Sequence, residues 1–470
     1  MSPHATRQEP TLREVHVTAR AEHCISRRNI SNGALRVLYR LNEAGYQAFL
    51  VGGAVRDLLL GGHPKDFDIA TNATPEEVRG LFRNCRLIGR RFRLAHVVFG
   101  REIVEVATFR GTSDDGTGDR HLVDGRLVRD NVYGTIEEDA IRRDFTVNAL
   151  YYDIADFSVR DYVGGLEDLE LKCLRLIGDP ESRYREDPVR MLRAARLAAK
   201  LDFQIAPETA APFRTLGSLL SEAPPARLFD ESLKLFLSGY GLASFHALQT
   251  HGLLQHVFPA TARSLASPHA DRFRVLLERT FASTDERVRA DKPVTPAFLF
   301  AALLWEPVRA MAEDLIANGS DPVAAWAHAS ARIMSEQAQR VAIPRRFSGS
   351  IEEIWILQPR FEQRVKKRVF RLLAHPRFRA AYDFLLLRAS ESPALTELAE
   401  WWTHAQVVDH QDLAREFQPP PPIEIGPDGE PVVPAAAAVA GDGAAPKKRR
   451  RPRRRRRKAK TDGETSAPVE

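Results

Sequence analysis

GGAVRDLLLGGHPKDFDIAT, residues Gly52–Thr71, combines a Gly-Gly turn, an Arg-Asp pair and two aspartates separated by one residue. Ahead of it, QAFLV (Gln47–Val51) reads as a short buried strand running into the turn. AVRDLLL suits a helix and DFDIA (Asp66–Ala70) a strand. Side chains alternate faces along a strand, so Asp66 and Asp68 point one way while Phe67 and Ile69 point into a core. Two neighbouring carboxylates repel unless a cation lies between them. Hard divalent ions take oxygen ligands and keep room for water and phosphate. A Gly-Gly turn opening a helix lets backbone N–H groups approach an anion, and Arg56, one turn in, adds charge at the same place. A lone D-x-D is most often a solvated strand edge, and a lone Gly-Gly only a turn. The combination is much rarer, and its parts together describe a site for a nucleoside triphosphate and its metals.

Outward from this stretch, the spacing predicts a helix over Ala34–Ala44 and another after the capping-box start TPEE (Thr74–Glu77), with Pro75 at its first position. CRLIG, HVVFG and EIVEVATF are three further β-rich stretches, and GTSDDGTGDRHLVDG (Gly111–Gly125) reads as a mobile loop. From about Glu137 to Phe417 the chain reads as mostly helical. A small mixed α/β head is therefore expected to precede an all-α body. The Pro/Ala-rich segment after Phe417 cannot build a core and reads as a disordered linker.

The chain has 470 residues, 44% of them hydrophobic, which is ample for more than one domain. No apolar run approaches the ~20 residues of a membrane helix. The N-terminus is polar, with no apolar core of a secretory signal. Cys24, Cys85 and Cys173 are far apart, which argues against a disulfide framework or a zinc site and suits a reducing, cytoplasmic setting. The net charge of +6 is uneven: residues 441–470 hold 12 Lys/Arg against 4 Asp/Glu, so the rest of the chain stands at −2. The basic block KKRRRPRRRRRKAK (Lys447–Lys460) should contact RNA phosphates, although any anionic surface would attract it.

Two further segments carry candidate chemistry. In IRRDFTVNALYYD (Ile141–Asp153), Asp144 and Asn148 would share a helix face and could hydrogen-bond a ribose; the plainer alternative is a helix start capped by Asp144. In REDPVRMLRAARLAAKLDF (Arg185–Phe203), Asp187 sits where an N-cap would be, with Pro188 after it and Arg190, Arg193 and Arg196 following at spacings of three. Asp187 and Arg190 could read a base edge, or Asp187 could simply cap the helix beside a solvated arginine stripe. In the body, Trp355, Phe370 and Tyr382 read as core rather than stacking platforms.

These segments in this order resemble the class II nucleotidyltransferases of the polymerase-β-like superfamily, which contains bacterial poly(A) polymerases and CCA-adding tRNA nucleotidyltransferases. LVGGAVRDLLLGGHPKDFDIAT looks like the family's metal motif, RRDFTVNAL its ribose-selecting motif, and EDPVRMLRAARLAAKLDF its base-recognition helix. LIGRRFRLAHVVFG (Leu87–Gly100), with Arg90, Arg91, Phe92 and His96, resembles the segment that marks the poly(A) branch; PARLFDESLKLFLSGYG, IPRRF and HPRFRAAYDFLLLRA resemble that branch's helical body. The resemblance implies a template-independent polynucleotide adenylyltransferase. Behind a leader over residues 1–30 that reads as loosely ordered, it would have a catalytic head (31–165), a base-recognition domain (166–240), an RNA-binding body (241–417) and a disordered basic tail (418–470). It implies Asp66 and Asp68 as ligands of Mg²⁺ or Mn²⁺ and Asp144 as a third catalytic carboxylate, ranked above Glu105. Gly52, Gly53, Arg56, Arg143 and Asn148 would hold the triphosphate and sugar of ATP, and Asp187, Arg190 and Arg193 would lie at the base. Partners would be RNA 3′ ends and proteins of RNA decay or RNA chaperoning. The alternatives are a CCA-adding enzyme, or an RNA-binding protein without catalysis.

Overall fold

Among the described residues, eight strands form one mixed sheet in the order β1-β10-β9-β2-β3-β6-β5-β4. The computed structural model describes residues 13–89, 93–111, 119–123, 126–268 and 270–417. The sheet comprises β1 (His16–Thr18), β2 (Ala48–Val51), β3 (Asp68–Thr71), β4 (Cys85–Ile88), β5 (Leu94–Phe99), β6 (Glu102–Thr108), β9 (Leu150–Asp153) and β10 (Val159–Asp161). A separate hairpin pairs β7 (Asp119–Val123) with β8 (Arg126–Asn131). Within the sheet β3 and β6 run parallel and all other neighbours antiparallel.

Alternation along the strands creates two faces. Leu50, Ile69, Val104, Val106 and Tyr152 meet one hydrophobic layer together with α1 (Asn32–Glu43), α2 (Gly53–Leu59) and α3 (Pro75–Leu81). Phe49, Val51, Ala70 and Tyr151 face the other way, against Ile136 and Ala140 of α4 (Ile136–Arg142). The start of α3 is the expected capping box: Thr74 accepts from the N–H of Glu77, Glu77 reaches back to the N–H of Thr74, and Pro75 fills the first position.

The chain departs from the sequence expectations in several places. Residues 13–30 are no loose leader: β1 closes one edge of the sheet by pairing with β10, and short 3₁₀ turns follow it. Part of the expected loop Gly111–Gly125 is strand β7; residues 112–118 and 124–125 lie outside the described residues. The chain does not turn helical at Glu137, because β9 and β10 return to the sheet after α4. The linker and basic tail, residues 418–470, and Arg90, Arg91 and Phe92 also lie outside the described residues.

After α5 (Gly165–Glu170) and α6 (Pro180–Glu186), α7 (Val189–Leu201) buries Val189, Met191, Leu192, Ala194, Ala195, Leu197 and Ala198 along one face. The two-residue strands β11 (Cys173–Leu174) and β12 (Gln204–Ile205) bracket that helix, and helices follow to residue 416. By their contacts, the described residues through Leu413 cluster as one unit. Trp355 and Tyr382 are core residues, the Trp355 indole donating to the carbonyl of Ala301 at 2.9 Å; Phe370 is half-buried on His410. Among the described residues no helix is long and apolar enough to cross a membrane.

Candidate active site

The parallel pairing of β3 with β6 sets Asp68 directly opposite Glu105 on the α4 face of the sheet. Asp66 lies just before the strand, on the same side by alternation, while Phe67 and Ile69 are buried. Asp68 and Glu105 line a cleft of about 220 Å³ together with Arg110, Asp139, Arg142 and Arg143. One side of Asp68 is open to solvent, yet the cleft walls crowd its carboxyl. That desolvation first, then the charge of Glu105, with Asp66 adding, pushes its pKa up to about 6 against the pull of Arg143. His96 faces Glu105 from β5, Nε2 lying 3.2 Å from Oε1, at ion-pair distance but off hydrogen-bond geometry.

Gly52 closes this site from the β2–α2 turn. Its φ of +72° lies in the region that favours glycine, and a Cβ there would stand 3.7 Å from Arg143 Nη1 and 3.9 Å from Asp68 Oδ2. The predicted Gly52, Asp68 and Arg143 are therefore gathered in one place.

Arg143 is held from behind. Its Nε donates to Asp139 Oδ2 at 3.0 Å and to the Tyr151 hydroxyl oxygen at 2.8 Å, and the Tyr151 hydroxyl donates to Asp139 at 2.7 Å. Asp139 and Tyr151 are buried. Burial alone would lower the Arg143 pKa, but Tyr151 and Asp139 outweigh it and keep the guanidinium charged. Arg183 of α6 supports the same segment by donating to the carbonyls of Arg142 (2.8 Å) and Arg143 (2.6 Å).

Asp144 and Asn148 do meet, as the sequence suggests, but not on a helix. α4 stops at Arg142, and a 3₁₀ turn over Thr146–Asn148 brings Asn148 Nδ2 to 3.2 Å from Asp144 Oδ1. The same oxygen accepts from the N–H of Phe145 at 2.8 Å, and Oδ2 accepts from Arg193 Nε at 2.9 Å and from Nη2. Burial would raise the Asp144 pKa; Arg193 and Asn148 outweigh it and hold it well below the usual carboxylate range. Asp144, like Asp66, is not among the residues that line the cleft, whereas Glu105 stands beside Asp68 there.

Arg56 is also turned inward. It is only 3% exposed, donating to Asn148 Oδ1 at 2.5 Å and to Asp57 Oδ1 at 2.8 and 2.6 Å, while Gly53 packs over its guanidinium. Lys200 reaches Asp57 at 3.0 Å. A polar ring results, running Arg193–Asp144–Asn148–Arg56–Asp57–Lys200, and it grips α7 at two points seven residues apart.

At the other end of α7, Asp187 joins α6 to α7 instead of capping in the expected register: α7 begins at Val189, and the Asp187 carboxylate accepts its N–H at 3.3 Å. Arg227 binds that carboxylate through both Nη atoms at 2.8 and 2.7 Å, and Arg190 donates to Glu186 at 2.7 Å. Arg196 pairs with Glu231 at 2.7 Å, so the arginine stripe is partnered instead of solvated.

Asp139, Tyr151, Arg183 and Arg227 escaped the sequence reading. Asp139 stands four residues before Arg143 on a predicted helix, a spacing that signals an ion pair. The other three have no local signal.

The family model described as the Poly A polymerase head domain matches residues 48–175. The probable RNA and SrmB-binding site of polymerase A matches 202–265, and the polymerase A arginine-rich C-terminus matches 318–458. Poly(A) polymerase I of Escherichia coli O6:H1 is 52% identical over 84% of this chain and 86% of its own. A CCA-adding enzyme of Lactobacillus johnsonii is 37% identical over 48% of this chain and 56% of its own. The crystal structure of the Bacillus stearothermophilus CCA-adding enzyme with CTP is 26% identical at a TM-score of 0.53, covering 82% of this chain and 81% of that one. The likeness to the CCA-adding relative thus covers about half of the chain, whereas the likeness to the poly(A) polymerase runs through head and body alike. This chain belongs to the bacterial poly(A) polymerases of the nucleotidyltransferase superfamily.

Proposed function

We infer that this chain joins AMP from ATP to the 3′-hydroxyl of RNA, without a template, and releases pyrophosphate. The observation that carries the catalytic assignment is the pairing of Asp68 with Glu105 across the parallel ladder, in a cleft shared with Arg143. A carboxylate pushed up to about 6 by desolvation and then by the charges of Glu105 and Asp66 calls for a cation. Mg²⁺, or Mn²⁺, answers that need: it accepts one or two carboxylates and completes its shell with water and substrate phosphate. Asp66 and Asp68 would hold it, with Glu105 as the third carboxylate. When bound, two such ions lower the pKa of an attacking hydroxyl and offset charge on a leaving pyrophosphate.

The remaining work is positioning, by the chain's own residues. The Gly52 turn lets backbone approach the triphosphate, and Arg143, fixed by Asp139 and Tyr151, meets its charge. Asp144 serves by orienting Asn148 and Arg193, and Arg56 by completing the ring that holds α2 against α7. Asp187 and Arg190 read the base at the head of α7, with Arg193 one turn further on. The match to the arginine-rich C-terminus supports RNA contacts by the basic tail, and the match at 202–265 supports a protein partner from RNA metabolism. The unpaired cysteines suit work in the cytoplasm.

The test is primer extension with Mg²⁺ on an unstructured oligoribonucleotide and on a tRNA lacking its CCA end, each given ATP, CTP or both. A long ladder from ATP on the oligonucleotide, lost in Asp68→Asn and Glu105→Gln, is the expected result. Addition that stops after three residues on tRNA and needs CTP would overturn it.

A further inference from the structure

Arg20, Arg27, Arg28, Arg36 and Arg40 crowd into one short stretch, and among the described residues no carboxylate stands within ion-pair distance of any of them. Arg20 donates to the carbonyl of His23, and Arg27 to the Tyr39 hydroxyl at 2.7 Å. Arg36 and Arg40 are exposed one turn apart on α1, a like-charge spacing that costs helix stability. Outside residues 441–470 the chain is net negative, so general basicity does not account for five such arginines within 21 residues.

Arg20, Arg27 and Arg28 line a cavity of about 440 Å³ with Tyr39 and Phe157. The Arg27 guanidinium lies 4.6 Å from the centre of the Phe157 ring. Phe157 is held at a φ of +62°, a conformation that a bulky residue rarely adopts, while its carbonyl meets His23 at 2.9 Å. Tyr39 and Phe157 pack on the α1 side of the sheet, the face away from Asp68 and Glu105. Guanidinium groups without counter-charges, beside half-buried aromatic rings, are the ingredients of single-strand recognition: phosphates meet the cations and bases lie on the rings.

We propose that this surface binds single-stranded RNA upstream of the 3′ end being extended. It is separate from the cleft where AMP is added, and the assignment depends on RNA being the substrate but not on which carboxylates catalyse. An RNA long enough to round the head occupies both places; a short one occupies only the cleft.

The experiment compares the full chain with its Arg20→Gln/Arg28→Gln/Arg36→Gln/Arg40→Gln variant. Arg27 is kept because it holds Tyr39. Binding of 3′-deoxy-terminated oligoadenylates of about 6 and about 30 nucleotides is measured against salt concentration. Single strands contribute about 0.7 to the log–log salt slope per phosphate, so losing four contacts should lower the slope by about 3 for the long strand, and its affinity by at least tenfold at low salt. Affinity for the short strand, and AMP addition to a strand of the same length that ends in a free 3′-hydroxyl, should not change. An unchanged slope for the long strand would overturn the proposal, and so would equal losses for both lengths. Phe157→Leu should weaken the long strand about tenfold with its slope intact. A site for polyanions that lack bases, such as an acidic polypeptide, would ignore that change, and this result would overturn the assignment to RNA.

Discussion

Replacing Asp144 with alanine strands the Arg193 guanidinium and removes the acceptor for Phe145 N–H and Asn148 Nδ2. Breaking a buried ion pair by deleting one partner costs about 3–5 kcal/mol. Here the Asp144 side chain is 13% exposed and that of Arg193 36%. Water can therefore take up part of the orphaned cation's charge, which places the loss at the low end, about 3 kcal/mol. Arg193→Met should cost a similar amount, because Asp144 would keep only neutral donors. The two substitutions together should cost about 3–4 kcal/mol, well short of their sum, since neither charge is left alone. Urea unfolding midpoints at constant m, for wild type, both single variants and the double variant, measure this cycle. The Asp144 pKa is depressed in the folded protein, so the pair's contribution is complete above the ordinary carboxylate value near pH 4 and disappears as pH falls through the lowered one. The coupling should be the same at pH 7 and pH 5. Additive losses, or a wild-type-like Asp144→Ala, would refute the view that this carboxylate acts through Arg193.

Asp68→Asn should reduce AMP incorporation a hundredfold or more at unchanged RNA affinity. It should also raise the unfolding midpoint of the metal-free protein at pH 8 and change it little below pH 4, because the folded pKa near 6 makes the ionised carboxyl a burden only at higher pH. Protons compete with metal at the same oxygen, so Mn²⁺ affinity measured by titration calorimetry should fall about tenfold per unit below pH 6; a flat profile between pH 5 and 7 would contradict this. Tyr151→Phe removes one bond each from Arg143 and Asp139, worth about 1.5–3 kcal/mol where the partner is charged, and should raise KM for ATP about tenfold with a smaller effect on kcat. Equal loss in both would point to a general packing defect instead.

Local features were legible before any coordinates. The Gly52 turn, the alternation around Asp66–Ile69 and the Thr74 capping box are written in adjacent residues, and each forms as expected. Strand β9 was missed because Leu150–Asp153 is buried on both faces and lacks the alternating pattern of a half-exposed strand. β1 and β10 are three residues each, too short to show any period. The surroundings of Asp144 and Glu105 were hidden for a different reason. Which carboxylate faces Asp68 depends on the β3–β6 register, and which cation claims Asp144 depends on a helix 49 residues later. Chain spacing encodes neither. Asp144 and Asn148 met through a turn of another kind, so the contact was right although the helix was not.

The edge pairing of His16–Thr18 with Val159–Asp161 also bears on the birth of the chain. The first strand has no partner until the last is made, and the central pair β2–β9 likewise waits for residues about a hundred positions downstream. At about 5–20 residues per second, a ribosome takes on the order of ten seconds to supply them. During that interval β3 can find β6, but the edge of β2 that β9 will take stays unsatisfied and open to wrong partners. A pause placed after the codons for Asp161 would give the sheet time to close before the helical body follows, whereas one placed before them would lengthen the exposure of an unfinished edge.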